Sequence, residues 1–279
     1  MKHEQGKFRG ARNAEIFQQS WLPEGEVKAV LLVVHGLGEH SGRYMNVVNH
    51  FVPLGYAVYG LDHFGHGQSE GARVFVERFV DFTDTVKMYF DQIRAWQPGK
   101  PIFLVGHSMG GLIGCAYLLD HQEGLTGAVI SAPAIKIADD ISPATMVAGR
   151  LFSAIAPKLG IMALDATAIC SDPAVVQAYL DDPLVYNGKI TARLAAEMLG
   201  AMQRVTREVS TIRLPLLIVQ GTADRLVDPG GAKMLFEQAA AKDKTLKTYD
   251  GFYHEVFNEP GRAQVLGDVQ VWLEKQLAA

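Results

Sequence analysis

The sequence predicts an α/β fold: a mostly parallel central sheet with helices on both faces, interrupted late in the chain by an inserted helical cap. Three observations predict it. Short apolar runs of strand length alternate with segments of helical period over residues 27–131 and again over 214–277. One such run, 102–105, turns through Gly106-His107-Ser108-Met109-Gly110 into a second apolar run that suits a helix. Between residues 134 and 210 the alternation stops, and Ala-, Met- and Leu-rich sequence replaces it. The division that follows is residues 1–133 as the first part of the core, 134–210 as the cap and 211–279 as the second part of the core.

Taken in order, residues 15–22 mix Ile16, Phe17 and Trp21 with polar residues and read as an exposed early strand. Pro23-Glu24-Gly25-Glu26 is a turn, and the apolar residues 27–34 form a buried strand. The glycine-bearing loop 35–44 leads into a helix from about Arg43 to Val52, which Pro53-Leu54-Gly55 ends. Residues 56–61 are the next strand, and 62–71 are a loop dense in turn formers. Two histidines there, His63 and His66, invite a metal reading, but no nearby Cys or paired carboxylate completes a ligand set. A loop held by Asp62 and Ser69 is the better account. Phe82, Val86, Phe90 and Ile93 give residues 79–96 a helical face, stopped by Pro98-Gly99. After the serine turn a strand runs over 126–131.

The cap contains no convincing strand. Residues 141–162 are notably apolar, and Val147, Leu151, Ile155 and Leu159 recur every four residues on one helix face. That face suits either packing on the core or a lid lining an acyl tunnel, the latter resting peripherally on a membrane surface. Residues 214–220 resume the sheet, a helix follows over about 230–241, 245–249 form the last strand, and a helix over 261–277 closes the chain.

The G-x-S-x-G spacing has a physical cause. The turn from strand to helix is so tight that the residues two before and two after the serine must lack bulk, hence Gly106 and Gly110. Ser108 then stands exposed, and the N–H of Met109 at the helix start points at an oxyanion forming beside it. Leu37, in the loop leaving an earlier strand, supplies a candidate second N–H. A membrane-spanning helix over 102–119 is permitted by length, but four glycines with His107 and Ser108 argue against it.

A serine hydroxyl needs a base, and the base needs an acid to fix its tautomer. On this kind of sheet the chain order is Ser, then Asp or Glu, then His. Of nine histidines, only His121 and His254 follow Ser108. His121 lies about three turns down the same helix, out of reach. His254 follows the last strand, and Asp224 sits just past a buried strand. Asp228 and Asp250 are the weaker acids, one further from the strand end and one only four residues before His254.

Composition narrows the partners. The 279 residues, 48% hydrophobic, suffice for one large core with an insertion. A net charge of −4 without a basic run gives no sign of nucleic acid. Cys115 and Cys170 cannot form a disulfide framework, and the polar first 17 residues lack the apolar stretch of a signal peptide, so the chain reads as cytoplasmic. The chemistry requires no cofactor and no metal.

These residues resemble the monoacylglycerol lipase and lysophospholipase branch of the α/β-hydrolases. The matching stretches are HGLGEHSGRY (35–44), DHFGHGQSEG (62–71), GHSMGG (106–111), Asp182-Pro183-Leu184, QGTADRLVD (220–228) and DKTLKTYDGFYH (243–254), with the cap before Tyr179 least matched. The resemblance implies the α/β-hydrolase fold, with a monoacylglycerol cleaved to fatty acid and glycerol. It supports Ser108, Asp224 and His254 as triad and Leu37 and Met109 as oxyanion donors. It also implies that Glu39, Arg43 and Tyr179 hold the glycerol head, although Glu39 and Arg43 are equally spaced as an i,i+4 surface ion pair. Phe257 departs from the pattern: animal members carry a polar histidine there, near the glycerol. A lysophospholipase or broad carboxylesterase shares every catalytic residue, and a non-catalytic ligand-binding protein of the same fold predicts a broken triad.

Overall fold

The computed structural model describes residues 1–136 and 143–279; the side chains of 143–147 lie outside the description. In chain order the elements are β1 (Lys2–Arg9), β2 (Glu15–Leu22), β3 (Ala29–Val34), α1 (Met45–Phe51), β4 (Tyr56–Leu61), α2 (Val80–Trp96), β5 (Ile102–His107), α3 (Met109–Asp120) and β6 (Gly127–Ser131). An insertion then contributes α4 (Pro143–Ile155), β7 (Gly160–Met162), α5 (Pro173–Asp181), β8 (Ile190–Thr191) and α6 (Ala192–Glu208). The sheet resumes with β9 (Leu216–Gly221), α7 (Gly230–Gln238), β10 (Lys244–Tyr249) and α8 (Arg262–Leu277).

Eight strands form one sheet in the order β1-β2-β4-β3-β5-β6-β9-β10. β1 and β2 pair antiparallel, β2 meets β4 antiparallel, and every other pairing is parallel. β3, β4, β5, β6 and β9 are buried at every position, which explains their unbroken apolar sequence. Alternate residues serve alternate layers. Leu31, Val33, Phe103 and Val105 pack with α1 and α8 on one face. Val30, Leu32, Leu104 and Ile130 pack with α2, α3 and α6 on the other.

The structure corrects the sequence reading in four places. β1 has no counterpart among the predicted strands, and it covers β2, which is mostly buried rather than exposed. The insertion does contain strands: β7 and β8 pair antiparallel as a separate two-stranded sheet. The helix predicted to carry Val147, Leu151, Ile155 and Leu159 on one face ends at Ile155, with Pro157 beyond it. Leu151 and Ile155 are 64% and 85% exposed and face solvent instead of a tunnel. Ile141 lies outside the described residues, as does the side chain of Val147.

Candidate active site

Ser108 is the residue between β5 and α3. Its backbone sits at φ 56°, ψ −119°, a strained conformation for a side-chain-bearing residue. The neighbouring glycines are demanded by contact. A Cβ on Gly106 would lie 2.5 Å from the Gly110 carbonyl oxygen, and one on Gly110 would lie 2.0 Å from that of Val34. The Ser108 N–H donates to the Ser131 carbonyl at 3.0 Å, tying the turn to β6.

Asp224 lies in the loop after β9 and His254 in the loop after β10. His254 Nδ1 and Asp224 Oδ2 are 2.8 Å apart, both residues buried. Asp224 Oδ1 accepts the N–H groups of Leu226 and Val227 at 2.9 and 3.1 Å, and Oδ2 also accepts Gln220 Nε2 at 3.0 Å. Burial alone raises this carboxyl's pKa; the bonds from His254, Leu226 and Val227 overcome it, and the net shift is downward. An ionised Asp224 places the His254 proton on Nδ1 and leaves Nε2 as the basic nitrogen. The other two acids are engaged elsewhere: Asp228 pairs with Lys136 at 2.6 Å, and Asp250 accepts Thr222 Oγ1 at 3.1 Å. His121 packs on the Tyr117 ring, at the far end of α3.

Ser108 and His254 line one cavity of ≈ 240 Å³. Among the described residues no hydrogen bond joins the Ser108 hydroxyl to the imidazole, a contact that commonly tightens only when substrate arrives. The Leu37 loop passes directly beside the serine, since a Cβ on Gly36 would lie 3.2 Å from Ser108 Cβ. The N–H groups of Leu37 and Met109 donate to no acceptor among the described residues. His35 holds this loop from below. Its Nε2 accepts the His63 N–H at 2.8 Å, so its Nδ1 carries the proton and donates to the Gly36 carbonyl, also at 2.8 Å.

Glu39 and Tyr179 line the same cavity, while Arg43 lies behind them. The pairing of Glu39 with Arg43 is not a surface feature, because both side chains are buried. Arg43 Nη1 reaches Glu39 at 3.0 Å, and both terminal nitrogens grip Glu255 at 2.5 and 2.8 Å. Its guanidinium lies 4.6 Å from the Tyr179 ring centroid. Glu39 Oε1 further accepts the Gly36 N–H at 2.6 Å and the Tyr44 hydroxyl at 2.9 Å. Arg43 thus contacts Glu39, Glu255 and Tyr179 and does not itself line the cavity.

Sequence reasoning missed Glu255 and His107. The signal for Glu255 was its place directly after His254. The His107 ring lies tilted against His254, centroids 4.7 Å apart, and its Nδ1 lies 3.1 Å from Ser131 Oγ. Burial pushes its pKa down to about 4, keeping it neutral beside His254. Phe257 is buried in a crevice with Arg43 and Asn258. Burial raises the Cys115 and Cys170 thiols to about 12 and about 11, so neither is a ready nucleophile.

The insertion adds apolar lining to the cavity: Met162, Leu164, Ile190, Met198 and Met202. A strained serine, an acid–base pair, two open N–H groups and an alkyl-lined cavity are the parts of an acyl-transfer site.

The sequence profile of the family described as "Serine aminopeptidase, S33" matches residues 25–261. A monoacylglycerol lipase of Mycolicibacterium smegmatis is 36% identical over 270 residues, covering 97% of this chain and 96% of that one. A monoglyceride lipase of Mus musculus is 36% identical over 268 residues, covering 95% and 88%. The crystal structure of Paleococcus ferrophilus monoacylglycerol lipase superposes with a TM-score of 0.82 at 29% identity, covering 99% of this chain and all of that one. The chain belongs to this serine-hydrolase family, beside its monoacylglycerol lipases, and is a carboxylic ester hydrolase of the α/β-hydrolase fold.

Proposed function

We propose that the protein hydrolyses monoacylglycerols to fatty acid and glycerol, with Ser108, His254 and Asp224 as its triad. The observation that carries this reading is the cavity itself. Apolar side chains from the insertion, the polar Glu39 and Tyr179, and Ser108 all line this one cavity. Ser108 Oγ attacks the ester carbonyl as His254 Nε2 takes its proton, and Asp224 stabilises the resulting imidazolium. The N–H groups of Leu37 and Met109 receive the oxyanion. The imidazolium protonates the departing glycerol oxygen, and water then attacks the acyl-enzyme by the same base. Glu39 accepts a glycerol hydroxyl, Tyr179 packs over the head, and Arg43 holds both in place. Two buried carboxylates sharing one guanidinium leave this region net negative, which favours a neutral head over a phosphate.

The insertion, residues 134–210, acts as the lid. It exposes Leu151, Phe152, Ile155, Leu159 and Ile161, apolar side chains suited to resting on lipid. No helix among the described residues is long and apolar enough to cross a membrane.

The test is fatty-acid release from a monoacylglycerol, a diacylglycerol and a lysophosphatidylcholine of equal chain length, with Ser108→Ala as control. Strong preference for the monoacylglycerol, lost in the variant, is expected. Equal or better turnover of the lysophospholipid sinks the glycerol-reading pocket, and full activity of Ser108→Ala sinks the triad.

A further inference from the structure

Away from the Ser108 cavity, a groove of ≈ 580 Å³ opens between the start of α2, α4 and α6. Ala116, Ala196, Gly200 and Ala201 line it with small residues, together with Phe79 and Val80. Four arginines line it, Arg78, Arg150, Arg193 and Arg204, against a single carboxylate, Glu197. Glu197 is occupied, accepting the Phe79 N–H at 2.8 Å.

The four cations are not equally satisfied. Arg204 is held by Asp120 at 2.6 and 2.8 Å and by Glu208 at 3.0 Å. Arg78 reaches Asp81 only at 3.8 Å, and that carboxylate already has Arg12 at 2.6 Å. Arg150 crosses from α4 to α6, where it donates to the neutral amide of Gln203. The Arg193 side chain has no hydrogen bond or ion pair among the described residues, and its Nε is shut off from solvent without a partner. A buried unpaired N–H is costly, and Arg193 also stands in the first turn of α6, where the helix macrodipole opposes a cation.

We propose that this groove binds an anionic amphiphile, a single alkyl chain ending in a carboxylate or a phosphate. Arg150 and Arg193 hold the oxyanion, for which guanidinium geometry is suited. The alkyl chain lies along the small residues and Phe79. Because α4 and α6 come from the insertion and α2 from the layer covering the sheet, a bound amphiphile braces the insertion against the core.

The experiment is equilibrium binding of dodecyl phosphate, dodecanoate and the neutral dodecyl maltoside, each below its micelle-forming concentration. The full chain is compared with Arg150→Gln/Arg193→Gln and with Arg193→Lys. None of these positions lines the Ser108 cavity, so alkyl binding there is common to all three proteins. The expected result is loss of about tenfold or more in affinity for at least one anion in the double variant, an intermediate loss in Arg193→Lys, and unchanged dodecyl maltoside binding. Which anion responds identifies the source of the head group. Unchanged affinity for both anions in the double variant overturns the proposal. So does an equal loss for dodecyl maltoside, which reports an apolar groove or a damaged fold.

Discussion

Arg43 is the residue on which the polar lining of the cavity depends. Burial favours neutral forms of both Glu255 and Arg43, yet their mutual attraction holds the Glu255 carboxyl below its ordinary range and the guanidinium above its own. Removing one member of a buried pair leaves its partner charged and desolvated, at a cost of about 3–5 kcal/mol. Arg43→Met should therefore lose stability of that order in urea titration at pH 7. The loss has a pH signature. Glu255 contributes stability above its unfolded pKa that disappears as acid protonates it in the folded state, so the variant's deficit should shrink near pH 4. A deficit equal at pH 7 and pH 4 means that packing, not charge, was lost. Asp224→Asn makes a different prediction, because it keeps the shape of the acid while removing the charge that fixes the His254 tautomer. In the triad mechanism kcat should fall by about 10⁴ with the fold intact, and near-normal turnover excludes Asp224 as the acid.

The elements that position Ser108 meet without room for a methyl group. α3 crosses the end of β3 so closely that a Cβ on Gly110 would lie 2.0 and 2.5 Å from the carbonyl oxygens of Val34 and His35. Backbone cannot yield as a side chain can, so Gly110→Ala should fail to accumulate as folded protein. Gly267, inside α8, faces open space: a methyl group there would meet nothing within 4 Å, and Gly267→Ala should stabilise by about 0.5–1 kcal/mol. Thermal melts of the two variants separate backbone contact from helix propensity; a destabilised Gly267→Ala or a normal Gly110→Ala refutes the account. The same elements show what sequence could and could not tell. Strands buried on both faces announce themselves by unbroken apolar runs, as β3 and β5 do. β1 is a charged edge strand, with Lys2, Glu4, Lys7 and Arg9 along it, and carries no such signal. β7 and β8, three and two residues long, are too short for any periodicity to register. The meeting of Asp224 with His254, and of His254 with Ser108 in one cavity, is legible from motif and chain order. Glu255 is not legible as the partner of Arg43, because the two are 212 residues apart and no local spacing joins them. Of the predicted stripe, Leu151 and Ile155 lie on α4 and face solvent, since period alone cannot say whether a stripe points at a cavity or at solvent.

For the molecule as a whole, the buried histidines set the response to acid. His35, His63 and His66 pack ring on ring beneath the Leu37 loop and against Phe82, and His107 lies beside His254. Burial pushes His35 and His107 down to about 4 and His66 to about 3, and drives His63 down as well. Asp62 pulls His35 and His66 the other way without prevailing. In the unfolded chain these imidazoles take up protons near pH 6.5, whereas in the fold they stay neutral until about pH 4 or below. Between those limits the unfolded state binds more protons, so stability falls as pH falls. Each histidine adds up to about 1.4 kcal/mol per pH unit to the slope. The window lies above the range in which carboxylates titrate, so Glu255 and Asp224 add their share only at lower pH. Urea titrations from pH 7 to 4.5 should show a steep decline beginning near pH 6.5. His63→Phe should reduce that slope by about one proton's worth, because both ring nitrogens of His63 are buried without a partner and only its unfolded form takes up acid. A flat profile between pH 7 and 5 excludes these histidines as the acid-sensitive groups, and a slope unchanged in His63→Phe removes that residue from the set.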